Sequence, residues 1–227
     1  MTVNVFVGYD STQEDAFNVC SYSLKRHGDV NVIPLKQQDL RDRNIYTRDI
    51  DTEASTEFSL TRFLVPYLSN YEGFSLFCDS DFLWTENVEN VFKQFKDKNK
   101  CVMVVKHDYT PKTEIKMDNK VQHKLPRKNW SSMMLFNNSE CKSLTPNIVN
   151  RATPKYLHQF MWLTDRQIGE LSYEYNWLVG YYSETESKKP KAIHYTDGGP
   201  WHKGYENCEY SDLWKNEYEL YRKQLQL

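Results

Sequence analysis

Phe74-Ser75-Leu76-Phe77-Cys78 is a compact apolar run that stops at Asp79-Ser80-Asp81, after which the chain turns apolar again as Phe82-Leu83-Trp84. A run of this kind reads as a strand buried on both faces, of the sort found in the middle of a parallel sheet. Parallel strands need crossover connections, so the neighbouring sequence has to supply helices. It does, and the chain is expected to be α/β with a mixed, mainly parallel sheet flanked by helices.

Val3, Val5 and Val7 alternate with Asn4 and Phe6 in a first strand that runs into Gly8-Tyr9-Asp10. Ser11 and Glu14 have capping-box spacing, and Ala16, Val19, Cys20 and Leu24 share one helical face. Asn31 to Leu35 reads as a second strand, with Pro34 near its end or on a sheet edge. Gln37 to Thr56 is polar and lacks a period, which predicts a long loop that orders around ligand. Leu60, Phe63, Leu64, Tyr67 and Leu68 predict an amphipathic helix kinked at Pro66, with Arg62 off its apolar stripe.

Beyond the acidic turn, Thr85 is placed to cap a helix carrying Val88, Val91, Phe92 and Phe95, and Cys101 to Val105 predicts another buried strand. His107 to Lys128 is a basic, proline-bearing loop, followed by a predicted strand from Trp130 to Phe136. Thr145-Pro146 starts a helix, and Thr164 with Gln167 forms a second capping box. Ala192-Ile193 delivers His194 to a glycine-rich turn, and a charged helix begins near Ser211. No internal repeat or low-complexity linker interrupts the 227 residues, a length that suits one domain over 1–227.

A net charge of -2 gives no broad field for holding a polyanion, so nucleic acid is not an expected partner. Sixteen Tyr and six Trp supply part of the core, and such rings also suit the C–H faces of sugars. The five cysteines are widely spaced without a C-x-x-C pair and read as reduced core residues. The first strand leaves no room for a signal peptide and no long apolar run suggests a membrane span, so a cytoplasmic location is expected. The Asn-x-Ser matches at Asn129 and Asn137 then carry no sugar.

Asp79 and Asp81 stand two apart at the carboxyl end of the most apolar strand, where extended backbone aims both side chains the same way. Ligands of open α/β sheets bind outside such strand ends. Two adjacent carboxylates repel unless a cation lies between them, and oxygen ligands of this type suit Mn²⁺ or Mg²⁺. The alternative is a solvated acidic turn with one Asp capping the next helix.

Phe77 to Trp84 resembles the D-x-D segment of GT-A-fold glycosyltransferases, especially the family 8 relatives of glycogenin and of lipopolysaccharide galactosyltransferases. Three other segments match in order: Val5 to Asp10 resembles the first strand and nucleotide loop, and Ser59 to Phe63 the helix whose arginine reaches the donor. Ala192 to Thr196, with Gly198-Gly199-Pro200-Trp201, resembles the segment that closes over the diphosphate. The resemblance implies a single GT-A (Rossmann-like) domain, with a nucleotide-binding half over about 1–105 and an acceptor-binding half over about 106–227.

It also implies metal ligands Asp79, Asp81 and His194, and donor contacts from Gly8, Tyr9, Asp10, Arg62, Ser80, Gly198, Gly199, Trp201 and Lys203. Asp165 falls where relatives place an acidic residue near the reacting carbon, and it is implied as catalytic together with Arg62. Relatives carry a lysine where this chain has Gly199, and Lys203 is the nearest substitute. Asn129 to Asn137 resembles a strand near the transferred sugar, and Tyr175-Asn176-Trp177 matches a family segment without an assigned role.

The implied reaction moves a sugar from a nucleotide-diphosphate sugar, UDP-sugars favoured, to a glycan, lipid-linked or protein acceptor, with retention of configuration. The loop with Lys112, Lys116, Lys120, Lys124, Arg127 and Lys128 could receive an anionic acceptor, the alternative being a solvated basic loop. Two rivals stay open: a nucleotidyltransferase, whose glycine-rich first loop Gly8-Tyr9-Asp10-Ser11 does not reproduce, and a catalytically silent nucleotide- or sugar-binding module.

Overall fold

The computed structural model describes residues 2–50, 54–108 and 126–226. A six-stranded sheet forms its centre, in the order β2-β1-β3-β6-β5-β7. The strands are β1 (Val3–Gly8), β2 (Val30–Leu35), β3 (Phe74–Cys78), β5 (Val102–Val104), β6 (Met133–Asn137) and β7 (Ile168–Glu170). β1 pairs in parallel with β2 and β3, and β5 with β7, while β6 runs antiparallel between β3 and β5. A three-stranded sheet sets β9 (Ala192–His194) between β4 (Phe82–Trp84) and β8 (Trp177–Leu178).

The period of two distributes the core over both faces of the large sheet. Phe6, Phe77, Val102, Val104, Met134 and Phe136 pack into one cluster. Val5, Val7, Leu76, Cys78, Met103, Met133 and Leu135 pack into the other. β3 is therefore covered on both sides, as its apolar run requires. Pro34 sits on β2, an edge strand, where its missing N–H costs no ladder bond.

Helix α1 (Glu14–His27) buries Ala16, Val19, Cys20 and Leu24, and it packs on α7 (Ser211–Gln224). A bidentate ion pair of 2.7 Å from Arg26 to Glu217 clamps the two helices. Among the described residues no helix is long and apolar enough to cross a membrane.

Several local expectations are corrected. The stretch after Gln37 contains helix α2 (Gln37–Asp42), supported by a Gln38 to Asp42 hydrogen bond of 2.8 Å. Its single buried residue, Leu40, leaves no period to read. Ser11 does not cap α1, because its hydroxyl donates to Glu57, while Asp10 accepts from the Thr12 amide at 2.9 Å. That local turn takes the place of the capping box.

Thr85 likewise donates to the Pro190 carbonyl, and Asn87 accepts from the Glu89 amide at the start of the short helix Glu89–Phe92. The expected helix around Pro66 is a 3-10 turn, Thr61–Leu64, continuing into Val65–Leu68, with Pro66 in the first turn where no amide is needed. Trp130–Ser132 forms a 3-10 turn, and the strand starts only at Met133. The basic loop lies largely outside the described residues, which resume at Pro126.

Candidate active site

Asp79 and Asp81 occupy the junction between the two sheets. The Asp79 amide donates to the Ser132 carbonyl at 2.9 Å, extending the β3–β6 pairing by one residue. The Asp81 carbonyl accepts from the Tyr195 amide at 3.0 Å, joining the chain to β9. Backbone bonds to both sheets thus fix the two acids. His194 stands opposite Phe82 in the β4–β9 pairing and stacks on its ring at 4.4 Å.

Ligand atoms of Asp79, Asp81 and His194 converge within 4.8 Å of one another. The Nε2 atom of His194 lies 3.3 Å from Asp81 Oδ2, and Nδ1 faces Asn176 Oδ1 at 2.8 Å. Two carboxylates and an imidazole are a donor set that suits Mn²⁺ or Mg²⁺, and the large sheet ends on one side of it.

Arg62 is buried rather than lying on an exposed helix flank. Its guanidinium pairs with Asp79 at 2.8 Å, donates to the Ser131 carbonyl at 2.9 Å, and lies over the rings of Phe58 and Phe77. Burial pushes its pKa down, while Asp79 and Asp81 pull it back up. His158 sits nearby with Nδ1 at 2.8 Å from the Ser131 hydroxyl, and burial followed by the Arg62 charge lowers its pKa to about 3. A neutral imidazole follows at physiological pH.

These groups line a cleft of about 530 Å³ that also contains Ser80, Asn129 and Thr196. Arg127, Lys128, Lys155 and Gln159 form another part of its wall. A hollow of about 210 Å³ shares Gln13 with it and is lined by Asp10, Thr12 and Gln37. Asp10 is buried and tied down, with Oδ2 accepting from the Glu57 amide at 3.1 Å.

The other expected donor residues line neither space. Gly8 lies beneath the Phe58 ring, 2.5 Å from where a Cβ would stand. Tyr9 packs edge-on against Phe17 beneath the Lys36 ammonium. Trp201 packs on Tyr195 and Trp214 and reaches the site only through a 3.3 Å hydrogen bond from Nε1 to Gln13. Gly198 takes φ +142°, a conformation that favours glycine, and Lys203 is exposed.

Asp165 is not brought to the cleft. Its side chain is 86% exposed and pairs with Arg127, which does line the cleft. The Thr164–Gln167 capping box holds it on the outer end of a 3-10 turn. Reading the sequence missed His158 and Gln13, whose residue types carry no spacing signal, while Ser131 and Ser132 lie in the segment from Asn129 to Asn137 expected near the transferred sugar. Asn176 lay in a recognised segment, yet its partner is remote in sequence.

No protein-family model matches the chain. Its fold is the GT-A fold of glycosyltransferases. Glycosyltransferase GlyE of Streptococcus pneumoniae TIGR4 aligns at a TM-score of 0.66 and 14% identity, over 99% of this chain and 63% of that one. The chain thus spans less than two thirds of GlyE. Galactosyltransferase LgtC, solved with donor and acceptor sugar analogs, aligns at 0.58 and 8% identity over 96% of both chains. These identities establish shared architecture. In sequence, Protein CDI of Arabidopsis thaliana is 44% identical over 97% of this chain and 87% of its own length, and the chain belongs to the family of that protein.

Proposed function

We propose that this chain is a glycosyltransferase moving a sugar from a nucleotide-diphosphate sugar, UDP-sugars favoured, to a glycan, lipid-linked or protein acceptor. One observation carries the reading: Asp79, Asp81 and His194 bring their ligand atoms together on the wall of the 530 Å³ cleft of a GT-A fold. The three side chains would hold Mn²⁺ or Mg²⁺. The bound ion supplies positive charge to the diphosphate as the glycosidic bond breaks.

The rest of the assignment concerns the chain's own groups. Arg62 fixes the Asp79 carboxylate, and Ser80 lines the cleft beside it. Asp10, with Thr12 and Gln37, shapes the adjoining hollow for the base or ribose. Trp201 acts through its hydrogen bond to Gln13, which borders both spaces, and Gly198, Gly199 and Lys203 are carried over as donor contacts from the family 8 resemblance. Arg127, Lys128 and Lys155 lie toward the acceptor and suit an anionic one. Retention of configuration is carried over from the family 8 resemblance. A reducing, cytoplasmic setting belongs to the same proposal and is supported by free thiols at Cys20, Cys78, Cys101, Cys141 and Cys208.

The test is a panel of nucleotide sugars scored by nucleotide release, with Mn²⁺ and with EDTA. Release from a UDP-sugar that EDTA abolishes is expected. Release unaffected by EDTA would remove the metal, and binding of no nucleotide at all would remove transfer chemistry.

A further inference from the structure

A run of hydrogen bonds connects the turn before β6 to His194, and its donors and acceptors fix the orientation of the Asn176 amide. Ser132 Oγ lies 2.7 Å from the Asn129 carbonyl, which can only accept, so the single hydroxyl proton points there. The remaining lone pairs on Ser132 face the Asn176 side chain at 2.8 Å, and the group facing them must be the amide NH₂. The amide orientation is thereby set, and Asn176 Oδ1 faces His194 Nδ1 at 2.8 Å. An amide oxygen only accepts, so Nδ1 carries a ring proton.

In the neutral ring the other nitrogen, Nε2, then presents its lone pair to Asp81 Oδ2 at 3.3 Å. Two acceptors facing each other favour a positive charge between them. Neither Asn176 nor His194 has room to reorient freely, since they are 0% and 2% exposed and His194 stacks on Phe82.

We propose that Asn176 is a positioning residue that holds His194 as its Nδ1–H tautomer with Nε2 aimed at the cation, and that Ser132 sets the orientation of the amide. The inference rests on the metal reading above. It assigns a task to a side chain that is not among those lining the cleft. Outer partners of this kind typically change metal affinity by about 10- to 100-fold.

Calorimetric titration of Mn²⁺ into the metal-free protein in the presence of UDP tests it without measuring turnover. Asn176→Ala should weaken Mn²⁺ about 10- to 100-fold, whereas Asn176→Asp, which keeps an acceptor at Nδ1, should bind within a few-fold of wild type. Unchanged affinity in Asn176→Ala, or equal losses in both folded variants, overturns the positioning role. A wild type that binds no Mn²⁺ instead overturns the metal reading, so the two failures are distinct. Where the variants do not fold, ¹⁵N NMR of labelled histidines in the wild type decides, with His194 assigned by its loss in His194→Gln. Protonation at Nδ1 supports the proposal, and the Nε2–H tautomer overturns it.

Discussion

Arg62 and Asp79 form a 2.8 Å ion pair inside the protein, and the same carboxylate belongs to the converging acidic-histidine group. The arginine is therefore part of the charge balance of the site before any ligand arrives. Arg62→Met keeps the contact with Phe58 and Phe77 but leaves Asp79 beside Asp81 without its guanidinium. Breaking a buried pair typically costs 3–5 kcal/mol, and about 3 kcal/mol is expected here because Asp79 retains some exposure. Mn²⁺ should restore more stability to this variant than it adds to the wild type, since the ion replaces a missing positive charge. Urea unfolding with and without Mn²⁺ measures the difference; equal increments would uncouple Arg62 from the acidic pair.

Asp81→Ala removes one of two neighbouring carboxylates, which relieves repulsion in the ion-free protein and leaves the β4–β9 pairing intact. The expected variant is folded, with an unchanged circular dichroism spectrum, and inactive. Several kcal/mol of lost leaving-group stabilisation corresponds to a rate loss of about 100-fold or more. A folded variant that still releases nucleotide at the wild-type rate would remove Asp81 from the chemistry.

Asp165 makes the opposite case. A carboxylate 86% exposed, paired with Arg127, contributes about 0–1 kcal/mol to stability. Asp165→Asn is expected to leave kcat/KM within about twofold of wild type, a change worth less than 0.5 kcal/mol. A hundredfold fall would return this residue to the reaction and require the turn holding it to move toward the cleft.

The parts of the fold legible in sequence are those with a strong period or a strong terminator. β3 and the acidic turn behind it could be read because a largely apolar run demands burial on both sides, and Asp79 and Asp81 continue that strand's alternation. α7 could be read as a charged helix beginning near Ser211. By contrast, α2 has one buried apolar residue, and the Ser11 and Thr85 hydroxyls were drawn away by Glu57 and Pro190, which are distant in sequence. The burial of Arg62 depends on three elements meeting around it. No local spacing encodes that encounter, nor the meeting of Asn176 with His194.

Two buried histidines give the protein an acid-sensitive fold. Burial, first among the causes, lowers both His107 and His158 from 6.5 to about 3. Between these values the unfolded chain binds protons that the folded chain refuses, so stability falls as pH drops below 6.5 and is flat above it for these groups. Each contributes a slope of up to about 1.4 kcal/mol per pH unit. Urea unfolding at pH 7, 6 and 5 should show the decline before most carboxylates titrate, and His158→Gln should remove about one proton from the slope. Constant stability from pH 7 to pH 5 would mean that neither imidazole is held neutral.

Gly199 marks a departure from the resembled family, and in this chain the Trp201 indole occupies the space that a side chain there would need. A Cβ at this position would stand 2.1 Å from the Trp201 ring, which is itself held by Tyr195, Trp214 and the hydrogen bond to Gln13. A lysine here therefore competes with the indole for the same space. Gly199→Lys should destabilise by about 1–3 kcal/mol, the usual cost of overpacking. The same substitution in a Trp201→Ala background should cost little, so the double-mutant cycle should return a coupling of similar size. Additive effects in thermal melts would mean that the ring yields without strain, and the absence of lysine would then need a cause other than the packing of Trp201.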